Sequence, residues 1–414
     1  MLGRGFDARE FRLVIFLFLI VFISMVGFGI ILPIFPFYAE RVGASPTAIT
    51  WTMAAFTLGQ AVATPIWGRI SDAHGRRLVL ILTLIGAALS YVWLAFANDL
   101  WSVIGSRVFG GLMAGNIATA FAYVTDITTD AERPAGLGKV GAAMGLGFVF
   151  GPATGGLLAG AEVETANFML PALAAAGMSI VAVVGTIIML PESLSPADRK
   201  PLFGKQVHDA KNISLAQANR RGLTRLFAAA MVFYTSMSLM ESIFPLWAYD
   251  VYGMGPRDIG LVFFVLGMIS ITMQGGLIGP LSRRFGEKRV SITAGLFFSV
   301  GLGGMGLAME LWQVWAALVP FGIGVGLFNP TVSSMVSKAA SANERGTVMG
   351  RYKFSSAMGR VIGPLVCGPV YSGIALAAPF TLGAVLMLPV VMALGGFRLA
   401  ALPAETEDAA EKMP

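Results

Sequence analysis

Charged side chains are scarce in this sequence. Asp, Glu, Lys and Arg make up 13% of its 414 residues, about half the roughly 25% of an ordinary soluble domain. A single cysteine, Cys367, excludes any internal disulfide. The two histidines, His74 and His208, both fall in polar segments between apolar runs. That excludes an intramembrane histidine relay, and no His/Cys cluster offers a zinc site. The Gly-x-x-x-x-Gly-Lys-Ser/Thr loop that cradles nucleotide phosphates is missing, and the polar segments are too short for an ATP-binding domain. The alternating ten-residue strands of an outer-membrane barrel are missing as well. No metal, no cofactor and no enzymatic activity are therefore expected, and any work the protein does must draw on a gradient.

What the sequence has instead is apolar length. Hydrophobic residues reach 56%, arranged in long runs. A hydrocarbon core about 30 Å thick takes roughly 20 residues of helix, and backbone in lipid must satisfy its own hydrogen bonds. The runs therefore predict helices over 13–37, 48–67, 78–97, 101–124, 137–160 and 168–190. A second set follows over 224–248, 257–279, 290–309, 312–336, 349–370 and 377–397. The expected fold is all-α and transmembrane: twelve spans in two six-helix bundles, 1–190 and 224–400, with a linker at 191–223 and a tail at 401–414. The first run lacks a small-residue cleavage site and reads as a retained span rather than a signal peptide.

The basic residues set the expected orientation. If the N-terminus is cytoplasmic, only Arg41 and Arg257 of the 29 Lys and Arg fall on the outer side, and Arg107 and Arg360 lie within spans. The rest sit on inner segments, which places both termini in the cytoplasm by the positive-inside rule. That topology accounts for the net charge of +6 without nucleic acid as a partner.

The two halves repeat. Phe35-Pro36 with Gly43, Pro46 and Ile49 returns as Phe244-Pro245 with Gly253, Pro256 and Ile259. Gly68, Ser71 and Gly75 return as Gly279, Ser282 and Gly286, Glu132-Arg133 as Glu344-Arg345, and Gly151-Pro152 as Gly363-Pro364. Six spans per half give both halves one orientation. Parallel repeats of this kind enclose a midplane site and work by rocking.

Three ionisable residues fall deep inside spans, where such groups are functional candidates by default: Arg107, Glu241 and Arg360. Glu241 is the only carboxylate among them and the expected proton-coupling residue, since low dielectric favours the neutral acid. Its helical face carries Tyr234, Ser238 and Pro245, a polar stripe suited to a cavity wall. Arg360 either pairs statically with Glu241 or binds an anionic group. Arg107 reads as a structural charge that hydrogen-bonds span 1 carbonyls loosened by Pro33 and Pro36. Asn116 heads a polar face of span 4 with Thr119, Tyr123 and Asp126. Met237, Met240 and Phe244 offer a soft, repackable wall. The expected substrate-binding set is thus Glu241, Arg360, Asn116, Tyr234, Ser238, Met237, Met240 and Phe244.

The loop after span 2, Gly68-Arg-Ile-Ser-Asp72-Ala-His-Gly75-Arg76-Arg77, resembles the cytoplasmic loop motif of the major facilitator superfamily. Span 5, with Gly145, Gly147, Gly151, Pro152, Gly155 and Gly156, resembles the antiporter motif of its twelve-span drug:proton antiporters. Arg107 with Gly111 and Gly115 is similar to that group's fourth-helix motif, and Leu190-Pro-Glu-Ser193 closes span 6 in its usual way. Ala122-Tyr-Val-Thr-Asp126-Ile-Thr and Glu132-Arg133 are most similar to the tetracycline-exporter branch. This chain places Ser24 and Ser90 where those exporters carry acids in spans 1 and 3. The resemblance implies a monomeric, proton-coupled exporter of amphipathic small molecules in a bacterial cytoplasmic (inner) membrane. It also implies a cytoplasmic gate of Gly68, Asp72, Gly75, Arg76, Arg77 and Asp126. In that gate Arg76 and Arg77 pair with Asp72 and Asp126 and latch the halves shut into an outward-open state. In the second half Arg283 replaces Asp72, so a weaker latch or none is expected there. Gly147, Gly151, Pro152, Gly155 and Gly156 would let span 5 pack closely and bend at the interface between halves. The alternative cargo is a polar, anionic or lipid-like metabolite.

Overall fold

The computed structural model of the chain describes residues 8–199, 217–341 and 344–396. Most of the expected linker, 200–216, and the tail 401–414 lie outside the described residues. Among those described there is no strand.

Helices occupy every expected span. The first half comprises α1 (Ala8–Ile31), α2 (Phe35–Arg41), α3 (Pro46–His74), α4 (Arg76–Ala95), α5 (Leu100–Leu112), α6 (Asn116–Ile127), α7 (Arg133–Ala159) and α8 (Met169–Met189). The second comprises α9 (Gln217–Tyr252), α10 (Pro256–Thr272), α11 (Ile278–Phe285), α12 (Glu287–Gly306), α13 (Leu311–Lys338), α14 (Arg345–Gly373) and α15 (Ala378–Gly395). Nine of the helical runs among the described residues are long and apolar enough to cross a membrane on length and composition alone. The others, α3, α12 and α14, fill the remaining expected positions with sequences richer in Gly, Ser, Thr and charge.

The ends and breaks follow local chemistry. Ser45 caps α3 by accepting from the Ala48 amide at 3.2 Å, with Pro46 in the first turn, where its missing N–H costs nothing. Asp99 caps α5 through the Ser102 amide at 2.9 Å. Span 1 breaks at residues 32–34 around Pro33, and the freed carbonyls of Gly29 and Ile31 are taken by the Leu32 and Ile34 amides at 3.2 Å. Span 4 breaks between α5 and α6, where the Trp67 indole donates to the Leu112 carbonyl at 2.7 Å. A five-residue π-helix, Met273–Leu277, joins α10 to α11; such wide turns accommodate an extra residue inside a helix.

The internal repeat is visible in the backbone. Gly43 and Gly253 take φ of 85° and 68°, and Gly75 and Gly286 take 107° and 80°, left-handed values that favour glycine. Each pair ends equivalent helices of the two halves. Gly151 packs on Gly29 of α1, as its counterpart Gly363 packs on Ser238 of α9. Large apolar side chains such as Ile188, Leu157, Val300 and Met392 are exposed, an outer surface suited to lipid rather than water.

The halves meet mainly through two helix pairs, α3 with α14 and α7 with α10. Their contacts concentrate at the end opposite the Arg- and Lys-rich loops, here the far end. Trp51 donates its indole N–H to the Leu365 carbonyl at 3.1 Å, Gly368 lies against Pro46, Thr47 and Thr50, and the Arg257 amide donates to Gly160 at 3.2 Å. At the basic end Gly138, Gly141, Gly346 and Gly350 have open space where a Cβ would stand.

Candidate functional site

Two adjoining cavities lie between the halves. The larger, about 250 Å³, is lined by the first half, with Ser24, Thr57, Gln60, Ser90, Tyr91 and Asn116 as its polar groups, and by Arg360 from the second. The smaller, about 80 Å³, holds Arg107, Glu241 and Arg360 together with Ser238 and Ser242. Phe28, Phe56, Thr57, Phe148 and Arg360 line both. The three intramembrane charges found in the sequence therefore converge on one place, although they come from α5, α9 and α14.

Glu241 and Arg360 face each other, with Oε2 and Nη1 3.8 Å apart. That is within ion-pair range but beyond a hydrogen bond. Arg360 also lies over the Tyr234 ring, 4.9 Å from its centroid. Among the described residues no group donates a hydrogen bond to Glu241. Its carboxyl therefore has one loose partner, and the static pair weighed from sequence is a weak one.

The remaining expected lining residues divide. Ser238 faces the smaller cavity and Asn116 the larger, where its amide donates to Ser24 Oγ at 2.7 Å. Met240 and Phe244 do not line either cavity; both are fully buried. Phe244 packs against Trp247, Phe263 and Phe380. Successive helical residues differ by 100°, so Phe244 turns toward α10 and α15 while Ser238 and Glu241 border the cavity. Met237 packs partly buried on the same core. Of the span 4 face, Thr119 and Tyr123 are also buried, the Tyr123 hydroxyl donating to the Pro191 carbonyl at 2.8 Å.

Arg107 departs from its expected role. It donates no hydrogen bond to α1 among the described residues, because the turn at 32–34 satisfies its own carbonyls. The guanidinium instead lies over Phe56 at 4.7 Å and Phe35 at 5.6 Å.

At the basic end the loop motif forms a cluster within the first half, not a latch between halves. Arg76 bonds Asp72 at 2.5 Å and Asp126 at 2.9 Å, and Ser193 donates to Asp126 at 3.0 Å. Arg77 takes the neighbouring face of α4 and instead donates to the Ile187 carbonyl at 2.6 Å. Glu192, part of the Leu190-Pro-Glu-Ser193 ending of span 6, accepts the Arg76 and Arg77 amides at 2.7 and 3.2 Å, a carboxylate at the positive end of α4. Gly75 makes the tight turn with φ 107°, where a side chain would collide with Glu192; Gly68 faces open space rather than a close helix. The second half keeps a counterpart with reversed charge. Glu287 and Lys338 occupy the repeat positions of Arg76 and Asp126 and pair at 2.7 Å, with Ser334 donating at 2.6 Å. Lys338 is 64% exposed where Arg76 is 11%, so this pair is the weaker. Asp126→Ala leaves Arg76 with Asp72 alone and removes the acceptor for its Nε and for Ser193, which should cost on the order of 1 kcal/mol, read as a lower Tm in detergent; an unchanged Tm would show the Asp126 arm of the cluster to be idle.

Span 5 presents two small-residue faces. Gly147, Gly151 and Gly155, four apart, lie against Met25, Gly29 and Ile30 of α1. Pro152 and Gly156 lie against Gly260 and Pro256 of α10, in the other half. Nearby, the Tyr249 hydroxyl donates to Glu164 at 2.8 Å across the halves and holds that carboxylate below the usual range.

The family model described as Major Facilitator Superfamily matches residues 17–364 and 275–412. Multidrug resistance protein 2 of Bacillus subtilis (strain 168) is 28% identical over 359 residues, 85% of this chain and 86% of that protein. Tetracycline resistance protein, class C, of Escherichia coli is 26% identical, covering 85% and 88%. The crystal structure of the human organic anion transporter MFSD10 (TETRAN) superposes with a TM-score of 0.70 at 24% identity, over 94% of this chain and 100% of that one.

Proposed function

The chain belongs to the major facilitator superfamily of membrane transporters, and on that premise we propose that it is a proton-coupled exporter of amphipathic, drug-like compounds. The observation that carries this reading is Glu241: a lone carboxyl in the central cavity, 3.8 Å from its single cationic partner. Such a carboxyl can give up Arg360 and take a proton, then reverse the exchange.

On this reading the protein sits in a bacterial inner membrane with the basic end and both termini on the cytoplasmic side, the orientation that the positive-inside rule favours. The halves touching at the far end then correspond to an inward-facing state. Cargo enters from the cytoplasm between the halves and the Glu241 proton leaves. The halves rock, the far end opens, cargo departs and Glu241 is protonated from outside. The cluster of Asp72, Gly75, Arg76 and Asp126 keeps the first half rigid at the basic end through this motion. A monomer contains every element required. Its relatives among multidrug and tetracycline resistance proteins support export over uptake. The test is accumulation of a fluorescent lipophilic dye in everted vesicles: an acid interior should drive it and a protonophore should stop it. Accumulation indifferent to the pH difference would overturn the coupling.

A second reading, export of an anionic metabolite, is favoured by one observation. The charged residues of the two cavities are two arginines against one glutamate, and serines stand at 24 and 90 where the tetracycline exporters carry acids.

A further inference from the structure

Arg107 is the least satisfied charge in the cavity region. It is 6% exposed, and its Nη1, buried from solvent, has no hydrogen-bond partner among the described residues. Faces of Phe35 and Phe56 hold the guanidinium plane, but rings supply no acceptor for its N–H groups. A buried guanidinium with no acidic partner is costly, and the residues around it could have supplied one. Ser90 Oγ instead donates to the Ser106 carbonyl at 2.8 Å, and Ser106 Oγ to the Val103 carbonyl of its own turn at 2.8 Å. The smaller cavity that Arg107 lines is lined by Arg360 as well. Arg360 in turn is engaged by Glu241 only at 3.8 Å. Around these groups stand apolar side chains, among them Phe28, Ile31 and Phe148.

We infer that this cavity is an anion subsite: the carboxylate or sulfonate end of an amphipathic cargo sits between Arg107 and Arg360, with its apolar body against Phe28 and Phe148. A planar guanidinium presents paired N–H donors matched to a carboxylate, and two of them converge here. Glu241 is the internal competitor. An arriving anion takes over Arg360 and releases the Glu241 carboxyl from its one partner, so cargo binding and proton exchange act on the same arginine. Ser238 and Ser242 border the same space; the Ser242 hydroxyl is already committed to the Ser238 carbonyl at 2.7 Å, so the charged donors are the two guanidiniums and the Ser238 hydroxyl adds a neutral one. This inference rests on the cavity being the cargo path of the proposed exporter, and it narrows the cargo to organic anions.

The experiment uses the full chain in lipid nanodiscs and three probes that share one ring system: 2-naphthylacetate, its neutral amide, and 2-naphthylmethyltrimethylammonium. The wild-type protein should bind the anion at least about tenfold more tightly than the amide and the cation most weakly. Arg107→Met should bring anion affinity down to that of the amide while leaving amide affinity within about twofold, which also reports a folded cavity. Arg107→Lys keeps the charge without the fork and should retain part of the preference. Glu241→Gln removes the competitor and should tighten the anion several-fold. Equal affinity for the three probes in the wild type, a preference for the cation, or undiminished anion preference in Arg107→Met would each overturn the inference. Selective anion binding by a protein whose flux ignores pH would retire the proton coupling alone and leave the subsite standing.

Discussion

Glu241→Gln will abolish proton-driven efflux while leaving the protein folded in the membrane. The amide keeps the size and polarity of the acid, so the packing of α9 against α14, built on Gly359 and Gly363, is untouched. What it removes is the ability to carry a proton. Coupled transport should fall by at least about a hundredfold, while energy-independent exchange of cargo across the bilayer persists. The size of the loss follows from the driving force: one charge crossing 100 mV is worth roughly 2.3 kcal/mol, and a pH difference adds to it, so uncoupling forfeits the whole concentrating power. Vesicles bearing the variant should still equilibrate a preloaded substrate but never accumulate it. Undiminished accumulation would remove Glu241 from the coupling role.

The second large effect is expected at Gly156. A Cβ there would collide with the Pro256 carbonyl and stand 3.1 Å from Gly260 Cα. Both are backbone atoms of α10, which leaves no flexible side chain to yield. Gly156→Leu should therefore part α7 from α10 at the far end and disfavour the conformation described here, holding the transporter open to the other side. The readout is a cysteine at Leu32, which borders the smaller cavity, placed in a Cys367→Ala background. Labelling by an impermeant thiol reagent added outside should rise at least about tenfold and transport should cease. Gly151→Leu, by contrast, strikes α1 of the same half and should lower stability without opening the far end. Labelling unchanged in Gly156→Leu would contradict the far-end closure.

Much of the architecture was legible in the sequence because the bilayer imposes it. Apolar runs of the right length can only be helices there, and the Gly and Pro punctuation of the two halves returns at the same helix ends, as Gly75 and Gly286 show. Glu241, Arg360 and Arg107 could be found because charge in an apolar helix is conspicuous. What stayed hidden depended on helix rotation and on partners distant in sequence. Met240 and Phe244 share a helix with Glu241 but turn to the core. Arg77 adjoins Arg76 yet serves the end of α8. Glu192 caps α4 from beyond span 6, and a carboxylate one residue past a proline gives no sign of that reach. The charge-reversed pair Glu287–Lys338 was readable in principle, by laying the second half on the first and comparing Arg76 with Glu287 and Asp126 with Lys338. Comparison of Asp72 with Arg283 alone suggested a loss where the structure has an exchange of sign.

The most direct test of the account reverses the machine. Purified protein is reconstituted into vesicles with no initial pH difference, an outward cargo gradient is imposed, and luminal pH is followed with a trapped dye. The account predicts cargo-dependent proton movement opposite to the cargo, absent in Glu241→Gln. Cargo that crosses with no accompanying proton flux in the wild-type protein would contradict it.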